Sequence, residues 1–367
     1  MSFRVLILGG YGNFGGYVAR ALKDDPSIRL IIAGRSLDKA QACASRLEAV
    51  NPAEAASLDI ARGVGPSLAD LRPGLVIHTV GPFQRQSYAV AEAAIAARAH
   101  YCDLADARAF VCGIGALDDA ARAGGVAVIS GASSVPCLTA AYLDDAARDF
   151  AHVESVDYGI TAAQQTNRGS ATASAVLSYV GRPFTTLRDG RMQRVFGWQG
   201  LHPEVYPGLG RRWFGHCDVP DLDLFPARYP SLGWMRFGAG HESAVLHFGT
   251  WLLSWGVRIG LLPPLDRWSD ALLRLSFQFD RWGSGRSGFH MRIAGTGYDG
   301  RPLTRTERII ARSGHGPNIP CVPATLIARR LAHGGSIAPG ARPCLDLIRL
   351  EEYPAALSSL DIEIIRS

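Results

Sequence analysis

Lysine is nearly absent from this chain. Of 38 basic residues among 367, only Lys23 and Lys39 are lysines. Everything after residue 39 therefore works without a primary-amine side chain, which excludes a Schiff base or a lysine general acid there. Seven cysteines, at 43, 102, 112, 137, 217, 321 and 344, form no CxxC pair. Neither a zinc knuckle nor a disulfide framework is indicated, and a reduced, cytoplasmic protein is expected. His241 and His247 lie six residues apart, not the four of a zincin helix, so no metal site is expected from them.

Long apolar runs are missing as well. The nearest, residues 244–265, is interrupted by His247 and Arg258 and closed by Pro263-Pro264. It reads as a helix that is buried or in peripheral contact with lipid, not as a membrane span. No charged n-region and apolar h-region open the chain. Arg211-Arg212 and Arg329-Arg330 are pairs rather than long basic runs, so nucleic-acid binding is not expected. The net charge of +5 is uneven: residues 1–150 carry 14 basic and 15 acidic side chains, the remainder 24 and 18. The positive second half either attracts an anionic small-molecule substrate or forms a solvated arginine-rich surface.

What is present is an alternating rhythm. At 47% hydrophobic residues the chain can fill two cores. Over the first 150 residues, strands are read at 4–8, 30–33, 75–79, 101–104 and 126–130, and helices at 15–22, 37–48, 88–97 and 114–123. That order predicts an α/β, Rossmann-type, doubly wound parallel sheet. Its ligand belongs at the carboxyl ends of the strands. Beyond residue 150 the rhythm changes. Residues 181–240 read as long loops and short strands of a different sheet, 289–295 and 305–312 as strands, and 323–331 as a helix opened by proline.

The stretch after the first strand is the most informative. Gly10-x-Gly12-x-x-Gly15 follows a strand and opens a helix, the context that a dinucleotide fingerprint requires. Gly10 permits the tight turn, Gly12 the approach of the backbone to a pyrophosphate, and Gly15 the close packing of helix on sheet. The second strand ends Ile32-Ala33-Gly34-Arg35-Ser36, with no carboxylate to hold a ribose 2′-hydroxyl. Arg35, Ser36 and Lys39 can instead take a 2′-phosphate, so NADP(H) is favoured over NAD(H). The alternative makes Arg35 a surface residue and Ser36 a helix cap.

These pieces together resemble the saccharopine dehydrogenase family, in particular its NADP-binding, saccharopine dehydrogenase-like oxidoreductases. The matching motifs are VLILGGYGNFG, IIAGRS, VIHTVGPFQ, YCDLAD, the Ser133-Ser134-Val135-Pro136 turn and SGHGPNIPCVPATLIARRL. The resemblance implies an NADP-binding Rossmann domain over 1–135, onto which 318–367 pack back, and an α+β substrate and dimerisation domain over 136–317. It therefore implies a homodimer. It also places Gly81-Pro82-Phe83 beside the nicotinamide, although Phe83 reads equally as core. Cofactor-binding candidates are Gly10, Tyr11, Gly12, Asn13, Phe14, Gly15, Arg35, Ser36, Lys39, Asp59, Thr79, Val80, Gly81, Pro82, Phe83 and Ser133.

For hydride transfer the cofactor supplies the reactivity and the protein supplies orientation and a proton. Candidates at strand ends are His78, Tyr101, Cys102, Asp103 and Ser133; Tyr101 and Asp103 lie two apart on one strand and so on one face, with a structural role as the alternative, and His78 reads as a core histidine. Tyr-x-x-x-Lys does not occur, which removes the proton relay of short-chain dehydrogenases, and the lysine of lysine-forming saccharopine dehydrogenases has no counterpart. The resemblance leans to reduction of an imine made from an amine and an aldehyde. Alternatives are a lipid-associated reductase of a C=C or C=O bond, motivated by Trp251, Trp255 and the apolar helix, and a non-catalytic NADP(H)-binding sensor or scaffold. Arg286 and Arg292 are candidates for holding a substrate carboxylate.

Overall fold

The computed structural model describes residues 2–367. The chain divides into two compact units, residues 1–138 with 317–349, and residues 139–316 with 350–367.

The first unit is built on β1 (Phe3–Leu8), β2 (Ile28–Gly34), β3 (Glu54–Ser57), β4 (Leu75–His78), β5 (His100–Asp103) and β6 (Ala127–Ser130). Between them run α1 (Asn13–Leu22), α2 (Leu37–Leu47), α3 (Gly65–Leu71) and α4 (Ala89–Ala96). The sheet is parallel throughout, in the order Gly340–Pro343, β6, β5, β4, β1, β2, β3. Strand order reverses between β1 and β4, which makes that junction the switch point where a doubly wound sheet binds its ligand. Val5 to Leu8 and Leu75 to Ile77 are buried, as central strands covered on both faces must be. The edge strand β3, Glu-Ala-Ala-Ser, has no apolar run and pairs only with β2.

The helix Val322–Ala332 returns to this unit. It carries proline in its first turn, and the Arg329 guanidinium donates to the Ala21 carbonyl of α1 at 2.7 Å. The strand Gly340–Pro343 then extends the sheet beside β6. Its Ala341 amide is held by Asp118 at 2.8 Å.

The second unit is a mixed sheet whose longest strands are Phe150–Ala162, Ser287–Gly297 and Pro302–Ala311. Trp234–His241 runs parallel to Phe150–Ala162, while Ser287–Gly297 runs antiparallel to it. Residues 350–367 correct the expectation that all of 318–367 packs on the first domain. Ile362–Arg366 pairs antiparallel with Pro302–Ala311, and Arg312 fixes that edge by ion pairs to Glu363 and Asp361. A separate hairpin joins Pro183–Arg188 to Arg191–Phe196 through Asp189 and Gly190, both at positive φ, the requirement of a type I′ turn.

Candidate functional site

The loop between β1 and α1 is shaped by close backbone approach. A Cβ on Gly15 would collide with the Gly9 carbonyl oxygen, and one on Gly12 would stand 3.0 Å from the same atom. Gly9 itself lies at φ +87°, with Thr79 Oγ1 2.7 Å and Val80 Cγ2 2.9 Å from where its Cβ would be. Both sides of the switch point therefore touch at this glycine. The Thr79 hydroxyl and amide each donate to the Leu8 carbonyl at 2.9 Å.

The start of α1 is left open for an anion. Gly12 is its N-cap with no side-chain hydrogen bond, and no acidic residue stands in the first turn. Uncapped N–H groups and the positive end of the helix dipole favour a phosphate here. The glycines, the bare helix start and the absent carboxylate at the end of β2 all fit a dinucleotide.

At the end of β2, Tyr11 folds back from the loop, and its hydroxyl accepts from the Ser36 amide at 3.0 Å. The Ser36 hydroxyl accepts from the Lys39 amide at 3.3 Å as the N-cap of α2. Ser36 is thus occupied as a cap. Arg35 and Lys39 are exposed, and neither side chain forms an ion pair among the described residues. Asp59, beyond β3, caps a short turn by accepting from the Ala61 amide at 3.1 Å. Asn13 and Phe14 open α1, and the Phe14 carbonyl accepts from the Cys321 thiol at 3.7 Å.

The loop after β4 holds Gly81 and Pro82, joined by a cis peptide bond. Gln86, which sequence reasoning missed, sets its shape by donating to the carbonyls of Val80 at 2.6 Å and Pro82 at 3.1 Å. Phe83 is core: it packs edge-on to His78 at 5.0 Å and against Phe110 at 5.3 Å.

The strand ends of β4 and β5 carry a sealed polar cluster. His78 Nδ1 and the Tyr101 hydroxyl lie 3.0 Å apart, and burial drives the imidazole down to about 3, so it is neutral. Asp103 accepts at one oxygen from Ser130 Oγ at 3.0 Å and from the amides of Gly131 at 2.8 Å and Ala105 at 3.0 Å. Burial raises its carboxyl to about 6, against the opposing hydrogen bonds from Gly131, Ala105, Ser130 and Tyr101. Tyr101 and Asp103 are 1% and 0% exposed, so as placed they bear on the strand ends rather than on a ligand. Ser133 is buried on the adjoining turn, its amide bonded to the Gly131 carbonyl at 2.7 Å. Asp106, three residues on from Asp103, is only half-buried, 3.4 Å from the Gln84 amide nitrogen. Burial pushes its carboxyl above the usual range.

Residues 5–163 match the family described as the saccharopine dehydrogenase NADP-binding domain. That match covers less than half of the chain, running through residues 5–138 of the first unit and on to residue 163. The first unit is accordingly the nicotinamide-dinucleotide domain of an oxidoreductase. Among solved structures the chain is similar to apo saccharopine dehydrogenase (L-Glu forming) from Saccharomyces cerevisiae, at 14% identity over all of both chains and a TM-score of 0.66. It is also similar to a mutant meso-dapdh with DAP from Clostridium tetani E88, at 13% identity over 98% of this chain and 99% of that one, TM-score 0.50. At such identities these two likenesses speak for the fold alone. No curated protein matches the sequence.

In the second unit the arginines expected to attract an anion are largely engaged. Arg292 and Arg308 share Glu204 at 3.3 and 3.1 Å, Arg236 holds Asp157, and Arg212 holds Glu242. Arg292 is thereby occupied, whereas Arg286 reaches only the Gly208 carbonyl at 3.4 Å. Among the described residues no group of three His, Cys, Asp or Glu could hold a metal ion, and no helix is long and apolar enough to cross a membrane.

Proposed function

We propose that this chain is an NADP(H)-dependent oxidoreductase that reduces a C=N bond formed from an amine and an aldehyde. The observation that carries NADP(H) over NAD(H) is the unpaired, exposed Arg35 at the end of β2, with no carboxylate beside it. The imine reading rests on the saccharopine dehydrogenase-type domain together with the lack of any lysine after residue 39. When bound, the dinucleotide supplies the hydride.

The chain supplies the rest. Gly10 to Gly15 and the open start of α1 hold the pyrophosphate, Arg35 and Lys39 hold the 2′-phosphate, and Thr79 to Phe83 border the nicotinamide. Asp106 serves as the proton donor in this reading, because it is half-buried on the loop that leaves β5, beside Gln84, and burial raises its carboxyl above the usual range. Tyr101 and Asp103 act as positioning residues that fix the turn at Ser130-Gly131.

A second reading, an NADP(H) binder without turnover, is favoured by the burial of His78, Tyr101 and Asp103. Fluorescence titration with NADPH and NADH, on the native chain and on Arg35→Ala, tests the first layer. Tighter NADPH binding that collapses in the variant supports the clamp, and binding of neither sinks the oxidoreductase reading. A turnover screen with amine and aldehyde mixtures then separates the two readings: oxidation of NADPH supports the enzyme, and silence beside tight binding supports the sensor.

A further inference from the structure

Residues 244–282 of the second unit are rich in apolar side chains and bury almost none of them. Only His247, Ser254 and Leu265 are buried there, and the helix Ser269–Phe277 buries no residue at all. Ten of the fifteen large hydrophobic side chains left exposed among the described residues fall in this stretch, with Leu252, Ile259, Leu261 and Trp282 at 66, 71, 76 and 67%. A surface helix normally turns its hydrophobic face to the core, and exposed apolar surface on this scale marks an interaction site.

The stretch forms one lobe. Trp251, Leu253 and Val257 of the helix Ala244–Arg258 and Leu272 of the helix Ser269–Phe277 pack against the same small core of Val180, Trp198 and Leu265. The hairpin over 183–196 adjoins it: the Arg258 guanidinium lies 3.9 Å over the Phe196 ring, and a Cβ on Gly181 would meet Ser254 and Val257. The exposed surface is therefore wider than the apolar run over 244–265.

The lobe also carries unpaired positive charge. Residues 181–197 and 244–282 hold eight arginines against four aspartates. Arg182, Arg191, Arg194, Arg267, Arg274 and Arg281 are exposed and form no ion pair among the described residues, whereas Asp280 is already held by Arg168 at 2.6 Å. A second copy of the same face would set these arginines against one another, at a cost that like charges impose on any interface. Four of the seven tryptophans, Trp251, Trp255, Trp268 and Trp282, lie in the lobe as well. Indole rings favour the boundary between acyl chains and headgroups, and guanidinium groups take phosphate oxygens bidentately.

We propose that this lobe docks on the surface of an anionic phospholipid bilayer, with its apolar and tryptophan side chains at the acyl boundary and its free arginines on lipid phosphates. None of its helices is long and apolar enough to cross a bilayer, so the helices lie in the plane of the interface. All of these residues belong to the second unit, and the inference stands apart from the dinucleotide site.

The test uses the full chain and flotation with vesicles of phosphatidylcholine, alone or mixed with phosphatidylglycerol. The native chain is expected to float with the mixed vesicles and to be released by high salt. Arg267→Gln, Arg274→Gln and Arg281→Gln together should weaken that binding about a hundredfold, from roughly fivefold for each basic residue near an anionic surface. Leu252→Glu with Leu261→Glu should abolish it and leave thermal unfolding unchanged, because both side chains are exposed. Tyr298→Glu, exposed elsewhere on the unit, should float like the native chain. A native chain that stays at the bottom of the gradient with mixed vesicles overturns the proposal. So does binding that is indifferent to the arginine or leucine variants. A dimer in sedimentation velocity that Leu252→Glu splits, with no vesicle binding, would make a second copy the occupant instead.

Discussion

The ring of Tyr11 lies across the end of β2 so closely that a Cβ on Gly34 would stand 2.5 Å from its Cε1. A residue of the glycine loop thus covers the strand end where Arg35 begins, and its hydroxyl holds the Ser36 amide. Gly34→Ala should push the ring away and disturb both the loop and the Arg35 backbone. Overpacking of this kind costs about 1–3 kcal/mol. We expect a lower melting temperature and NADPH binding weakened about tenfold or more. Tyr11→Phe keeps the ring and loses one hydrogen bond, about 1 kcal/mol. If Gly34→Ala binds NADPH like the native chain, this contact has no part in shaping the site.

Asp106→Asn keeps the size and an acceptor for Gln84 while removing the titratable carboxyl. Positioned general acids contribute about 10²–10⁴-fold to rate. Turnover of a productive amine and aldehyde pair should fall by that order, with NADPH affinity within a factor of about two. A drop in cofactor affinity with turnover preserved would remove Asp106 from the proton's path.

How legible this was depends on how local each feature is. The glycine fingerprint could be read because strand, turn and helix follow one another directly, as could the apolar strands β1, β2 and β4. Strand β3 could not, because Glu-Ala-Ala-Ser owes its conformation to pairing with β2. The same holds for Ile362–Arg366, whose partner strand is Pro302–Ala311. Tyr11 over Gly34 is a tertiary contact with no spacing to reveal it. The pairing of Arg292 with Glu204 was equally hidden, so a residue expected to await a substrate carboxylate proved to be engaged already. The hairpin at Asp189-Gly190 is different, because Asp-Gly is itself a local type I′ signal.

Glu242, between His241 and His247 in the sequence, is a structural node. Its carboxylate accepts from Ser284 Oγ at 2.5 Å, the Gln164 amide at 2.8 Å, the Ser284 amide at 2.9 Å and Arg212 at 3.1 Å. Burial pushes its carboxyl up, but these donors outweigh it and hold it below the usual range. Glu242→Ala strands Arg212, itself nearly buried, and breaking a buried pair costs about 3–5 kcal/mol. Calorimetry should show a melting temperature lower by about 10 °C, given about 2–4 °C per kcal/mol for units of this size. EDTA should leave the native melting temperature unchanged. A chelator-induced loss of stability would mean that the node binds metal.

Stability should fall on mild acidification, because two opposed sets of buried groups do not balance. Burial lowers His78, His216, His247 and His290 to about 3. Their folded values lie below the unfolded 6.5, so the unfolded chain takes up protons first and stability drops as pH falls below 6.5. At pH 5 this amounts to about 2 kcal/mol for each histidine. Burial raises Asp103 to about 6 and Asp221 to about 7. Raised carboxyls contribute stability that is present below their unfolded values and lost as pH rises through 6 and 7, the opposite sign. Moving from pH 7.5 to 5 regains about 1 and 3 kcal/mol from these two. The histidines win by a few kcal/mol. The urea midpoint should therefore be lower at pH 5 than at pH 7.5, and His290→Gln, which keeps an acceptor for the Tyr206 hydroxyl now 2.6 Å from His290 Nδ1, should flatten the slope. A midpoint that rises on acidification would mean that the buried carboxyls dominate instead.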